Sequence, residues 1–278
     1  MTVLAALPLP WPFDREYMQL ALAAGLVVGL CAPLIGTFLV QKRLSLLGDG
    51  IGHVAFAGVA AGLLLDVWPI WTALVAAVAG AVTIEWLRSR GRATGDLALA
   101  LLFYSGIAGG VVLSGLAGSL NSSTLSYLFG SILTVDRSEA LTIGVLGVVI
   151  VGSVVVAQRA LFSIVLDEEA ARVAGLPVDP LNLGLAALTA VTVVVGMRAV
   201  GVLLVAALMV LPVGAAQRLT RSFVSTMVVA SAIGATSAVL GLAAARVWGL
   251  APGGVIVLVA AAIFALAASR SFLEIFRP

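Results

Sequence analysis

Nine long apolar runs constrain the fold of this chain more than any other feature of its sequence. Each run is close to the length of about 20 residues that an α-helix needs to cross a bilayer. Hydrophobic residues make up 62% of the chain and charged residues only 10%, whereas soluble proteins are about 25% charged. We therefore predict an all-α transmembrane bundle of about nine spans, within a range of eight to ten. The runs lie at about 18–40, 47–66, 69–87, 96–117, 138–158, 180–199, 201–217, 223–245 and 254–270.

The segment before the first run differs from the rest of the chain. Residues 1–17 contain three prolines and three charged side chains, which predicts an N-terminal arm at the membrane interface. Residues 18–278 are predicted to form a single transmembrane domain. If the spans alternate, eleven of the fifteen Lys and Arg residues fall on the side of the Lys42-Arg43 turn. The positive-inside rule then predicts an external N-terminus and a cytoplasmic C-terminus.

Composition and motifs exclude several functions. The net charge is +2, but the basic residues are scattered in short segments between spans and form no patch with aromatic residues, so nucleic-acid binding is set aside. A single cysteine, Cys31, excludes a disulfide within the chain. No Gly-x-x-x-x-Gly-Lys-Ser/Thr loop occurs, so we expect no ATP hydrolysis by this chain alone.

Asp49 and His53 are the strongest candidates for a functional site. They lie four residues apart near the start of the second run, and His53 is the only histidine. Positions i and i+4 share a helix face, so an oxygen and a nitrogen ligand point the same way. Ionisable groups are costly in a membrane and usually face a cavity, a partner charge or a substrate path. The pair therefore predicts a cation pathway, with a structural hydrogen bond between the two side chains as the alternative.

One chain supplies only two such ligands. A two-fold dimer would repeat them and offer two carboxylates and two imidazoles. Four nitrogen and oxygen ligands suit Zn²⁺ and, with added water, Mn²⁺ or Fe²⁺, whereas Mg²⁺ and Ca²⁺ prefer oxygen alone. The sequence does not decide between zinc, manganese and iron.

Two segments interrupt the series of spans. Residues 118–137 are too polar to cross a membrane, and they predict an outer loop with a short surface or re-entrant helix, a plain loop being the alternative. Residues 166–177 begin with an acidic turn and end in Gly-Leu-Pro, which is typical of a short capped helix. A helix this short persists only when it docks onto something, and a solvated loop is the alternative.

Four stretches of the chain carry a family resemblance: residues 41–60 (QKRLSLLGDGIGHVAFAGVA), 126–133 (SYLFGSIL), 167–177 (DEEAARVAGLP) and 197–212 (MRAVGVLLVAALMVLP). In this order, they resemble the membrane permeases of zinc, manganese and iron ABC importers. The resemblance implies a type II importer in a bacterial cytoplasmic membrane, with two permease chains, two cytoplasmic ATPase chains that bind ATP, and an external metal-binding protein. Many relatives have a Pro-Gly pair where this chain has Ala57-Gly58, so a local kink is not expected.

The resemblance also implies roles for particular residues. Asp49 and His53 become the metal ligands, and a coupling helix near 166–176 is expected to seat in the ATPase. Arg198 and Arg246, predicted at the outer side, are candidates for contact with the external protein through charge complementarity. The residues expected at the ATPase interface are Asp167, Glu168, Glu169, Ala170, Arg172, Val173 and Gly175.

Two other functions compete with an ABC permease. A proton-coupled secondary transporter or channel could use the same Asp-His pair, but it would leave the acidic helix at 166–176 without a role, and no clear internal repeat is visible. An intramembrane hydrolase would need a further ligand or nucleophile, and none is evident. We therefore predict a transporter subunit and not an enzyme, with no cofactor of its own.

Overall fold

Helices account for nearly all of the chain that the structure, a computed structural model, describes: residues 10–91, 95–118 and 122–275. This part of the chain contains no strand, and one 3₁₀ turn lies at Ile132–Thr134. The helices are α1 (Glu16–Gln41), α2 (Leu47–Leu64), α3 (Pro69–Ser89), α4 (Gly95–Leu116), α5 (Ser122–Phe129), α6 (Arg137–Leu166), α7 (Glu168–Val173), α8 (Val178–Ala199), α9 (Val202–Leu219), α10 (Phe223–Trp248) and α11 (Pro252–Ile275).

Each predicted span coincides with one long helix, which confirms the all-α transmembrane fold. Eight of these helices are long and apolar enough to cross a membrane, and the ninth, α9, has a shorter apolar part at Leu204–Leu219. The largest difference in length concerns α6, which continues past the predicted end at 158 as far as Leu166. Gln158 and Arg159 are good helix formers and do not stop it. The helix ends where Asp167 adopts an extended conformation.

Short helices occupy both segments that interrupt the spans. The segment 118–137 contains α5 and the 3₁₀ turn, and residues 119–121 lie outside the described residues. The segment 166–177 contains α7. The predicted interfacial arm at 1–17 lies largely outside the described residues, since the description begins at residue 10 and α1 begins at Glu16. Its position at a membrane interface stays a prediction.

Ion pairs show that the connecting segments gather at two opposite ends of the bundle. At one end, which we call the α7 end, Glu168 contacts both Lys42 and Arg88. At the other end, which we call the α5 end, Arg198 pairs with Glu139. The basic segments that contain Lys42 and Arg88 therefore lie together with α7 at this end, as the assumed alternation of spans requires.

Small residues let the helices pack closely, as in other membrane bundles. A Cβ atom on Gly29 of α1 would lie 2.7 Å from the carbonyl oxygen of Gly234 in α10, so only glycine fits that crossing. By contrast, α6 turns large apolar side chains outward, and Val156 is 89% exposed. Such a surface needs a lipid environment. The chain is therefore a multi-pass membrane protein.

Candidate metal site and the α7 helix

Asp49 and His53 lie on α2, one helical turn apart, near the α7 end of the bundle. The His53 side chain is buried and its ring meets Phe103 of α4 edge-on, with 4.5 Å between ring centroids. Asp49 is half-buried. Among the described residues neither side chain makes a hydrogen bond, so the structural hydrogen bond considered as an alternative is not formed here.

Glycines fix the position of α2 between its neighbours. Gly48 lies against Met209 of α9, and Gly50 lies against Leu102 of α4. At Gly106 of α4, a Cβ atom would lie 2.6 Å from the backbone nitrogen of Val54, so α4 passes very close to the turn that contains His53. These contacts hold α2 firmly, and α4 covers the turn that contains His53.

Asp49 is the more accessible of the two side chains. It lies in the first turn of α2, three residues after the exposed Leu46, whereas His53 lies one turn deeper under α4 and is 8% exposed. No group of three or more His, Cys, Asp and Glu side chains occurs in the described ranges. The described residues therefore bring together two candidate metal ligands, and a complete site would need further ligands.

The sequence of α7 explains why so short a helix forms. Asp167 caps its start, and its carboxylate accepts hydrogen bonds from the backbone nitrogens of Glu169 and Ala170 at 2.9 and 3.0 Å. Gly175, with φ at 83°, ends the helix in the left-handed region. Two acidic residues in the first turn also suit the helix dipole.

Most residues predicted at the ATPase interface lie on the exposed side of α7. Val173 is 90% exposed, and Leu166, just before the helix, is 74% exposed. Exposed apolar groups of this size beside acidic side chains are typical of a docking surface. The other exposed members of the predicted set are Asp167, Glu169, Ala170, Arg172 and Gly175.

Glu168 differs from the rest of this set because its carboxylate points into the permease. Its Oε1 accepts a hydrogen bond from Lys42 Nζ at 2.5 Å and one from Asn182 Nδ2 at 3.2 Å. Arg88 approaches the same oxygen at 3.5 Å and makes two hydrogen bonds to Glu85. Burial raises the pKa of the Glu168 carboxyl, but the hydrogen bond and charge of Lys42, helped by Arg88, outweigh it and lower the pKa.

Sequence reasoning did not find this cluster of charged side chains. It predicted an interfacial ion pair of Glu85 with Arg88, which the structure contains, but it used Lys42 only to predict orientation and placed Glu168 beside Glu169 as an outward-facing residue. Asn182 gave the one usable signal, because an amide one turn into an apolar span needs a polar partner.

The two arginines predicted to meet an external protein have different environments. Arg198 is buried, donates to Glu139 at 2.6 Å and lies over the ring of Tyr127, 4.9 Å from its centroid. This arrangement offers no guanidinium to an external partner. Arg246 lies 5.1 Å from the ring centroid of Tyr17, its side chain is 20% exposed, and its contact with an external protein stays a prediction.

Several known proteins with similar sequences are described as transport proteins. The chain matches the ABC 3 transport family over residues 14–271. It is 28% identical to the high-affinity zinc uptake system membrane protein ZnuB of Haemophilus influenzae, over 90% of this chain and 96% of that protein. It is 30% identical to the manganese transport system membrane protein MntC of Halalkalibacterium halodurans, over 91% of this chain and 86% of that protein.

A solved structure extends the similarity to the fold. PsaBC from Streptococcus pneumoniae, determined in complex with a Fab, superposes with a TM-score of 0.82 at 30% identity, over 91% of each chain.

Proposed function

The chain belongs to the ABC 3 transport family, and we propose that it is the membrane permease subunit of an importer for zinc or manganese, with iron as a further candidate. Similarity to a zinc-uptake and a manganese-transport membrane protein over nearly the whole chain supports this substrate class. The observation that supports it most directly is the position of Asp49 and His53 one turn apart on α2, where neither side chain has a hydrogen-bond partner among the described residues.

We infer that two copies of the permease close the metal site. Two-fold symmetry repeats the same residues on both partners, so the first turns of two α2 helices would together supply two carboxylates and two imidazoles. This set suits Zn²⁺ or Mn²⁺, and the two carboxylates neutralise the charge of the ion where bulk water is scarce.

The energy for transport is proposed to come from a separate ATPase. The sequence contains no phosphate-binding loop, and the exposed side of α7 provides a surface for a partner. Cycles of ATP binding and hydrolysis would then alternate the access of the Asp49/His53 site between the two sides of the membrane. An external metal-binding protein would deliver the ion at the α5 end.

The same proposal fixes the orientation in the membrane. The α7 end contains most of the arginines and the only lysine, so the positive-inside rule places it in the cytoplasm. α1 runs from the α5 end to the α7 end, which puts the N-terminus outside. Nine alternating spans then put the C-terminus inside. The membrane concerned is the bacterial cytoplasmic membrane.

The proposal is tested by metal uptake into vesicles that contain the permease, its ATPase and the external binding protein. We expect uptake of Zn²⁺ or Mn²⁺ that requires ATP and that excess Mg²⁺ or Ca²⁺ does not inhibit, because an imidazole-containing site disfavours both ions. Uptake without ATP, driven by a proton gradient, would instead show a secondary transporter.

A further inference from the structure

Glu168 is the point at which α7 makes polar contact with the transmembrane helices that are not its neighbours in sequence. α7 follows α6 directly and precedes α8, so it is covalently tied to both. In the described part of the chain, the other side-chain hydrogen bonds of α7 stay local, since Asp167 caps the helix itself and Arg172 bonds to Asp179. Contact with α1 and α3 comes from Glu168, through Lys42 and Arg88.

Lys42 lies at the turn that joins α1 to α2. It is the C-cap of α1, and its backbone nitrogen donates to the carbonyl of Phe38 at 3.1 Å. The turn is tight, because Leu44 N donates to Leu39 O and Leu47 N donates to Leu44 O, each at 2.9 Å.

Two further features make this turn a stiff link. Arg43 adopts the left-handed conformation with φ at 58°, which a non-glycine residue adopts only where its surroundings hold it there. α2 begins at Leu47, and Asp49 lies in its first turn. A displacement of Lys42 therefore moves the first turn of α2, where one of the proposed metal ligands lies.

The charges around this pair are balanced, and two of the four side chains, Lys42 and Glu85, are shielded from water. Lys42 and Arg88 face Glu85 and Glu168, so two cations meet two anions. The Lys42 side chain is only 7% exposed, and its ammonium also donates to Asn182 Oδ1 at 2.6 Å. A buried ammonium held in this way stays with its carboxylate, because separating them leaves an unpaired charge away from water.

We propose that Lys42 and Glu168 are positioning residues that couple α7 to the α1–α2 turn and, through it, to the helix that contains Asp49 and His53. The inference rests on the proposed function, since it assigns the coupling role to an internal ion pair of the same permease. When the ATPase moves α7, the pair transmits the movement to the metal ligands. Glu168 then acts within the permease, and Glu169, Ala170 and Val173 form the surface that meets the ATPase.

The test uses the full complex in vesicles and three variants: Glu168→Gln, Lys42→Met, and both together. Each single variant leaves one charge unpaired, whereas the double variant keeps the cluster neutral and therefore restores stability. Arg90→Gln is the matched control, because it removes a positive charge from an exposed position at the same end of the bundle, two residues after Arg88. The measurements are thermal stability, ATPase binding, ATP hydrolysis and the number of ions transported per ATP.

We expect all three variants to bind the ATPase and hydrolyse ATP. The ions transported per ATP should fall by roughly two- to thirtyfold, the range that follows from coupling energies of this kind. The double variant should recover thermal stability without recovering coupling, and Arg90→Gln should match the wild type. A purely structural ion pair would instead regain coupling together with stability in the double variant.

A second readout follows the pair itself. Lys42 is the only lysine of the chain, so mass spectrometry can report its modification by an amine-reactive reagent unambiguously. We expect the modification rate of Lys42 in the wild-type complex to change between the nucleotide-free and ATP-bound states. In Glu168→Gln the rate should be higher and should no longer depend on nucleotide.

Three outcomes would overturn the inference. Normal coupling in the double variant would show that the pair only stabilises the fold. Loss of ATPase binding in Glu168→Gln would show that Glu168 meets the ATPase directly. Both results leave the proposed function intact, whereas a wild-type complex without ATP-driven metal uptake would overturn the proposed function and this inference with it.

Discussion

Two polar pairs lie near the same end of the bundle in opposite environments. One pair is Asp49 and His53, and the other is Lys42 and Glu168. Lys42 and Glu168 find their partners within the chain, through contacts of 2.5 Å to each other and of 2.6 and 3.2 Å to Asn182. In the described part of the chain, Asp49 and His53 make no hydrogen bond, although His53 is buried.

Lys42 and Glu168 therefore stabilise the fold through contacts within the chain, whereas Asp49 and His53 have no hydrogen-bond partner in its described part. Burying an ionisable side chain without a hydrogen-bond partner in a membrane protein is unfavourable in free energy. Such a side chain is expected where a ligand, a substrate or a second subunit offsets this penalty. We therefore expect changes at Asp49 and His53 to affect transport with little effect on stability. Changes at internally paired residues should affect stability first.

The largest expected effect tests the first half of this comparison. Asp49→Asn or His53→Gln should reduce ATP-driven metal uptake by roughly a hundredfold or more, because each change removes two ligands from a symmetric site, and loss of supporting contacts alone costs 10–100-fold. Thermal stability should change by less than about 1 kcal/mol, since neither side chain loses a hydrogen bond. Uptake assays and thermal unfolding on the same preparations check both expectations.

Asp66→Asn is the matched control for these variants. Asp66 is an exposed carboxylate just beyond the other end of α2, with φ at 55°, a conformation that asparagine also adopts readily. The Asp66→Asn variant should retain wild-type uptake of metal ions. If Asp49→Asn and His53→Gln unfold the permease instead of inactivating it, the pair is structural and the comparison fails.

A second internal ion pair, at the α5 end, tests the expectation that changes at internally paired residues affect stability. The side chains of Arg198 and Glu139 are 10% and 9% exposed and are joined at 2.6 Å. Glu139→Gln should destabilise the protein by about 3–5 kcal/mol, because it leaves a buried guanidinium without its counter-charge. Thermal unfolding in detergent measures this, and adding Arg198→Met should recover most of the loss.

The exposed pair of Glu16 and Arg137 provides the control at the same end. Their side chains are 57% and 63% exposed, so Arg137→Gln should cost less than about 1 kcal/mol. Equal losses in Glu139→Gln and Arg137→Gln would show that burial does not distinguish the two pairs.

The smallest expected effect is a dependence of α7 on pH. The pKa of Glu168 is lowered in the folded protein, so the stabilisation from its ion pair is fully present above the ordinary value of 4.5 and is lost as the pH falls through the lowered value. The effect should be about 1 kcal/mol or less, because the side chain is 37% exposed.

Hydrogen exchange at the amides of α7, corrected for intrinsic rates, measures this dependence. Protection should stay constant from pH 7 to the ordinary pKa of 4.5 and decrease below it. In Glu168→Gln it should not vary over this range. Protection that already falls near pH 6 would mean that another group controls the docking of α7.

Much of the fold could be predicted from local patterns. Nine apolar runs predict nine spans because a bilayer requires about 20 apolar residues for each crossing, and the structure places a helix at every one. The start and end of α7 were equally predictable, since Asp167 satisfies unpaired backbone nitrogens and Gly175 accepts a positive φ. The end of α6 was predicted too early, because an apolar run marks the membrane and not the helix.

The candidate sites were predictable only in part. The spacing of Asp49 and His53 shows that they share a helix face, but not that His53 is buried while Asp49 is only half-buried. For Glu168 and Glu169 the acidic pattern suggested a common outward role, and the structure turns Glu168 toward Lys42, which lies 126 positions earlier in the chain. Arg198 was predicted at the surface because it ends a span, yet it pairs with Glu139 inside the bundle.

The sequence by itself determined that this protein is a bundle of membrane helices, which residues end those helices, and that one aspartate and one histidine share a turn of α2. These properties follow from hydropathy and from hydrogen bonding over a few residues. Only the tertiary structure decided which charged groups have a partner within the chain and which do not. Whether a charge is satisfied depends on side chains that are distant in sequence and become neighbours only when the helices pack.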